Sequence, residues 1–313
     1  MFGFSKKWNP DGKHVYITGG SSGLGLSLAL LLAEKGAHIS IVARNQEKLD
    51  AALGLIEQKR VSPSQIFKAY SHALDSGSAA TEALELVCSA HGGEAPDAVF
   101  SCAGSSRPLF FVEMEEKDLL DGMTNGYWVQ AWTAWAAAKK MVRQQKKGSK
   151  IVFVSSTLGL MTFLGYASYS PPKHALRGLA DTLQSEMMLY GIDVHIYFPA
   201  TMYTPGYDEE EKSKPAITKK IESTDEGQTP EKAAQVLYKG VVNGHAHITG
   251  DLITDLFSAS TRGAVKRRNW LLEGLYDFVA YIAVPVWRSD VDKQVLSHRD
   301  EHQQYLSNKG FFS

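Results

Sequence analysis

The chain has 313 residues, which at roughly 150 residues per domain means one large domain or two small ones. Hydrophobic residues make up 44% and charged residues 21%, enough core for a folded globule and against a disordered chain. The 33 basic and 34 acidic side chains leave a net charge of −1, so no basic field exists to hold nucleic acid, and two cysteines, Cys88 and Cys102, exclude a disulfide-stapled scaffold and a structural zinc site of their own.

Residues 1–13 carry no apolar run of secretory-signal length, and the cysteine usage fits a reducing compartment. Residues 14–20 (HVYITGG) are β-branched or aromatic and end on glycines, as a buried strand does. The apolar run 27–36 predicts a helix stopping at Gly36, and 38–42 a second strand, together the size of one βαβ unit. The alternation continues with a helix over 46–59, a strand over 65–70, a helix over 78–90 and a strand over 98–101. A helix over 123–144, a strand over 151–155, a helix over 173–189 and a strand over 194–198 follow, with 247–249 closing the sheet. This order predicts an α/β fold: a Rossmann-like, doubly wound parallel sheet with helices on both faces. A catalytic domain over 1–255 and a helical extension over 256–313 are expected. Residues 205–231, with DEEE at 208–211, read either as a solvated excursion or as a mobile loop over a site, and we expect a mobile substrate loop.

Residues 18–25 (TGGSSGLG) join the first strand to the first helix. Gly19 permits the tight exit from the strand, Gly23 a close approach of backbone to pyrophosphate, and Gly25 close packing of helix on sheet. The second strand ends at Arg44, where an NAD-binding unit commonly has a carboxylate, so a 2′-phosphate is favoured there, with Lys48 one turn on as a helper.

Tyr169 and Lys173 are four residues apart, on one face if helical. A free phenol titrates near 10, and an adjacent ammonium is expected to pull that value toward neutrality, making Tyr169 an acid/base. Pro171 and Pro172 suit only a first helical turn, which sets the helix start near Ser170. Ser156, at the end of the fifth strand, is placed to orient a substrate oxygen, with Ser155 and Thr157 as competing hydroxyls.

These motifs, with SCAG at 101–104 and Asn125 in the same order, resemble the short-chain dehydrogenase/reductase family from about Val15 to Asp251. The resemblance implies catalysis by Ser156, Tyr169 and Lys173, with Asn125 anchoring a water-mediated proton relay or, alternatively, serving a helix kink. It implies that Gly19, Ser21, Ser22, Gly23, Leu24, Gly25, Ala103 and Gly104 hold the cofactor, NADPH, and that Tyr169 and Lys173 also contact it, Lys173 at the nicotinamide ribose. Asp75 or Ala73 would face adenine, and Thr201 and Thr204 the carboxamide. Ser101 stands where the family often has Asn, and Pro199-Ala200 replaces its usual Pro-Gly. Within the family, residues 204–215 (TPGYDEEEKSKP), VARNQEKL and YSPPKHALRGL are similar to the 3-ketodihydrosphingosine reductases. That likeness implies reduction of a long-chain keto-lipid at the cytosolic face of the endoplasmic reticulum membrane. The competing readings are reduction of a steroid or retinoid ketone, and a catalytically silent nucleotide-binding membrane protein. The family also often pairs through helices corresponding to 123–144 and 173–189, so the resemblance is compatible with a homodimer or homotetramer, and packing within one chain explains the small residues there equally well.

The C-terminal part has a basic run at 262–268 and an apolar stretch in which Leu271, Leu275, Phe278 and Ile282 share a helix face. Glu273, Asp277 and Pro285 argue against a simple span, and the pattern fits a helix lying in a membrane interface or one packed on protein. His298 and His302 are spaced as metal ligands, but without a third ligand they read as surface histidines and no metal site is expected.

Overall fold

The computed structural model describes residues 7–223, 225–265 and 267–312. Seven strands form a single sheet: β1 His14–Thr18, β2 His38–Ala43, β3 Phe67–Ser71, β4 Ala98–Ser101, β5 Lys150–Val154, β6 Asp193–Phe198 and β7 His247–Thr249. Every neighbouring pair is parallel, in the order β3-β2-β1-β4-β5-β6-β7. Both faces are covered, which is why β1, β4 and β5 are buried at every position rather than alternately. Val15 and Ile17 of β1 pack against the helices Gly23–Ala33, Gln46–Glu57 and Pro230–Val242, while Tyr16 between them points to the opposite layer. That layer is formed by helices Gly77–Ser89, Val129–Arg143 and Ser170–Glu186.

The chain winds outward from β1 through β2 to β3, then returns to β4 beside β1. Loops leaving the carboxyl ends of β1 and β4 therefore diverge and open a crevice, the usual ligand position of such sheets. Here the two exits nearly touch: a Cβ on Gly19 would lie 2.9 Å from the Cα of Ala103.

Several expectations change in detail. The stretch 205–231 is mostly helical rather than a loop: Pro205–Ser213 and Ala216–Glu222 are helices, the first capped by the Thr204 hydroxyl, which accepts from the Tyr207 N–H at 3.1 Å. Its charges hid the helices because one of them is internal: Lys214 is buried and its ammonium gathers Glu210, Glu211 and Glu222. The helix expected over 123–144 is preceded by Glu116–Met123 and entered through a π-turn at Thr124–Trp128. The helix Leu252–Ser260 runs through the boundary expected at residue 255, and its Phe257 joins the sheet's core.

The helix Trp270–Ser297 packs one side on this core, with Trp287 edge-on to Phe257 at 5.0 Å between ring centres. Glu273, 5% exposed, pairs with Arg262 and Arg268, and Asp277 pairs with Arg262 and Arg267. The arginines of the basic run are thus spent on the protein's own carboxylates, and Lys266 lies outside the described residues. The other side of the helix leaves Leu271, Leu275, Phe278, Ile282 and Val286 exposed. No helix among the described residues is long and apolar enough to cross a membrane. His298 and His302 are half-buried rather than on the open surface, with His302 4.1 Å from Phe110. No group of three or more His, Cys, Asp or Glu among the described residues is placed to hold a metal ion.

Candidate active site

A cavity of about 1200 Å³ opens along the carboxyl edge of the sheet. Every residue expected to act in catalysis or cofactor binding lines it: the glycine turn, Arg44, Lys48, Asp75, Ala103, Gly104, Asn125, Ser156, Tyr169, Lys173, Thr201 and Thr204.

The turn at its floor is shaped for close approach. Gly19 has φ +66° and its N–H donates to the Val42 carbonyl at 2.8 Å. A Cβ on Gly25 would meet the Gly19 carbonyl oxygen at 2.4 Å, so any side chain there would push the helix off the turn. Gly23 has φ +52°, and a Cβ there would meet Thr204 at 3.1 Å, which brings the 204 loop over the turn. Ser22 caps the helix Gly23–Ala33 without a side-chain hydrogen bond, so the helix's first N–H groups point into the cavity with no side-chain cap. This cradle fits a pyrophosphate. Arg44, just after β2, and Lys48, in the first turn of the helix Gln46–Glu57, lie exposed, and neither enters an ion pair among the described residues, so both are free for an anion.

Above the turn, three adjacent hydroxyls compete for one role. Ser155 donates to the Lys173 carbonyl at 2.9 Å. Thr157 bonds the Pro199 carbonyl at 3.2 Å and the Thr254 hydroxyl at 2.8 Å. Ser156 alone is hydrogen-bonded to the phenol of Tyr169.

Tyr169 immediately precedes the helix Ser170–Glu186, whose first turn tolerates Pro171 and Pro172. Its phenol is held well above the usual value, first by burial and then by the negative field of Glu210, with the Ser156 hydrogen bond opposing them. The expected lowering by Lys173 does not occur. The Lys173 ammonium lies 5.4 Å from the tyrosine ring centre and donates to the Val154 carbonyl at 3.0 Å. Burial pushes Lys173 itself down to about 8.

Asn125 sits inside the π-turn, and its side-chain amide donates to the Asp121 carbonyl at 3.0 Å. The side chain thus supports the kink. Its backbone carbonyl serves the cavity: that oxygen and the Lys173 ammonium lie 3.2 and 3.7 Å from the point where a Gly104 Cβ would stand. The π-turn, a feature common at functional sites, thus brings this carbonyl close to Gly104.

Several residues of the site escaped the sequence. Gln130 fastens both central strand ends, donating to the Val154 carbonyl at 2.8 Å and to the Ala103 carbonyl at 3.3 Å, and accepting from the Val154 N–H at 3.0 Å. Its only sequence signal is a lone amide in a run rich in Ala and Trp. Tyr166 bonds Glu210 and Glu222 at the cavity wall. The cavity also has apolar lining, from Met161, Phe163, Leu256, Phe257, Val284 and Trp287, the last two from the C-terminal helix.

A family model described as short chain dehydrogenase matches residues 13–215. The chain is 44% identical to a 3-ketodihydrosphingosine reductase of Cryptococcus neoformans, over 97% of this chain and 90% of that protein. It is 35% identical to a 3-dehydrosphinganine reductase of Danio rerio, over 75% of this chain and 70% of that protein. A short-chain dehydrogenase/reductase from Burkholderia phymatum, solved in complex with NAD, superposes with a TM-score of 0.72 at 18% identity, over 82% of this chain and 93% of that one. The chain belongs to the short-chain dehydrogenase family and is an oxidoreductase.

Proposed function

We propose that this protein reduces the ketone of 3-ketodihydrosphingosine to the alcohol with NADPH, at the cytosolic face of the endoplasmic reticulum membrane. The observation that carries the reading is the cavity itself, which runs from a phosphate cradle, past the Ser156–Tyr169 pair, to an apolar wall formed partly by the C-terminal helix. The likeness to two reductases of this substrate supports the same choice.

The residues present fit a nicotinamide dinucleotide. The glycine turn and the helix end at Gly23 would hold the pyrophosphate, Arg44 and Lys48 the 2′-phosphate, Asp75 and Ala73 would border adenine, and Lys173 would hold the ribose of the nicotinamide. When bound, the cofactor supplies the hydride. Ser156 orients the ketone oxygen by a hydrogen bond, and Tyr169 Oη donates the proton that turns the oxygen into a hydroxyl. A phenol held above its ordinary value stays protonated throughout the neutral range, the state a proton donor to a ketone requires. Lys173 Nζ and the Asn125 carbonyl stand behind it as the route by which a proton returns to Tyr169 through solvent.

The apolar wall suits a long alkyl chain, and the exposed stripe Leu271, Leu275, Phe278, Ile282 and Val286 suits contact with the bilayer from which such a substrate comes. A ketone panel with NADPH in mixed micelles tests the reading. 3-Ketodihydrosphingosine should be turned over at least tenfold faster than steroid or retinoid ketones, and the reverse order overturns the choice of substrate.

A further inference from the structure

One wall of the cavity carries charge that the reduction itself does not need. Lys214, buried, meets Glu210 at 3.2 Å, Glu222 at 2.7 Å and Glu211 more closely still, and Lys219 adds a second ammonium to Glu211 at 3.3 Å. Three carboxylates thus face two ammonium groups. The phenol of Tyr166 lies 2.8 Å from a Glu210 oxygen and 2.6 Å from a Glu222 oxygen, but one phenol has one proton to give. Because Lys219 serves Glu211, the uncompensated charge falls on Glu210 and Glu222. These two line the cavity, whereas Glu211 and Lys214 do not. The Tyr166 ring that joins them is 6.0 Å from the Tyr169 ring, so the charge stands one aromatic ring from the reacting centre. There it works against the acid, raising the cost of a phenolate on Tyr169. A cation that arrives with the substrate relieves both the carboxylate pair and the phenol.

The inference rests on the reading above, in which the substrate carries a primary amine on the carbon next to the ketone. We propose that Glu210, backed by Glu222, pairs with that ammonium and makes the site selective for α-amino ketones over plain long-chain ketones. The helix Pro205–Ser213 then has two tasks: it closes the cavity over the glycine turn, and it presents the carboxylate that fixes which side of the ketone faces Tyr169.

The test compares kcat/KM for 3-ketodihydrosphingosine and for its analogue lacking the amine, in wild type and in Glu210→Gln. The wild type should prefer the amine, and Glu210→Gln should lose roughly 10- to 100-fold on the amino ketone, the size of one charge-assisted contact. On the plain ketone it should lose nothing, and any change should be a gain, because removing the charge lowers the cost of a phenolate on Tyr169. Glu211→Gln weakens the same Lys214 hub outside the cavity and should leave the ratio of the two values unchanged; Glu210→Asp should restore part of the preference. Equal losses on both ketones in Glu210→Gln, or a shifted ratio in Glu211→Gln, mean that the cluster only clamps the helix, and overturn the subsite while leaving the reductase reading intact. Wild-type turnover of neither ketone overturns both.

Discussion

Ser155 donates its hydroxyl to the carbonyl of Lys173 across 2.9 Å, and this bond separates the tasks of two adjacent serines. It ties the end of β5 to the first turn of the helix Ser170–Glu186, leaving Ser156 to face Tyr169. Ser156→Ala should lower kcat by about 10²-fold or more, as loss of an aligned donor to a developing oxyanion does. Ser155→Ala should cost about 1 kcal/mol of stability with kcat within a few-fold of wild type. Denaturant melts and steady-state rates on both variants check the pair; a larger kcat loss in Ser155→Ala would reverse the assignment.

Cofactor choice rests on Arg44 just after β2, which lines the cavity and enters no ion pair among the described residues. Replacing a guanidinium by a carboxylate removes a charge-assisted contact to a 2′-phosphate and adds repulsion. Arg44→Asp should move the NADPH to NADH preference by about 10²-fold. Titration of cofactor fluorescence measures it, and an unchanged ratio would place 2′-phosphate recognition elsewhere.

The exposed stripe of the C-terminal helix predicts a binding phenotype without a catalytic one. Leu271 and Phe278 are 83% and 65% exposed and touch no part of the site. Each apolar side chain buried in a bilayer is worth about 1.5–3 kcal/mol. The double change Leu271→Asp and Phe278→Asp should therefore release the protein from liposomes by roughly 10²-fold or more in partition, while turnover of micellar substrate persists. Co-flotation assays read the first effect, and undiminished binding would move the contact to another surface.

Acid should weaken the fold before the carboxylates titrate. Burial holds His14 down to about 2 and His91 and His195 to about 4, against about 6.5 in the unfolded chain. Below about 6.5 the unfolded state binds protons that the folded state refuses, so stability is full above that value and falls as pH drops. The His91 and His195 contributions level off near 4, and that of His14 continues to about 2. Thermal melts should show a level Tm from pH 7.5 to about 6.5 and a falling one from there to pH 5; a flat profile throughout would mean that the rings take up protons without loss of structure.

The fold was legible because its informative parts are local. Strands β1, β4 and β5 each hold a run of β-branched or aromatic residues, and the turn from Gly19 to Gly25 is bounded by such a strand and by an apolar helical run that stops at Gly36. The start of the catalytic helix at Ser170 follows from two prolines, and the structure places it there. What stayed hidden depends on partners distant in sequence. Nothing around Lys214 marks a buried lysine, because its burial comes from Glu222 and from the packing of the helices beside it. The arginines at 262–268 looked free for a membrane surface, yet Glu273 and Asp277 lie one helix face away and take them up. The lowered Tyr169 value expected from four-residue spacing failed for a similar reason. Spacing placed the two groups side by side but said nothing of the Val154 carbonyl that holds the ammonium, or of Glu210 across the cavity.

The most direct measurement follows NADPH absorbance with purified protein and 3-ketodihydrosphingosine in mixed micelles, for wild type beside Tyr169→Phe, with NADH as the parallel cofactor. Wild type should oxidise NADPH rapidly and NADH poorly, and Tyr169→Phe should lose nearly all turnover while binding NADPH with unchanged affinity. Full activity in Tyr169→Phe would contradict the assignment of the proton donor, and oxidation of neither cofactor by wild type would contradict the reductase itself.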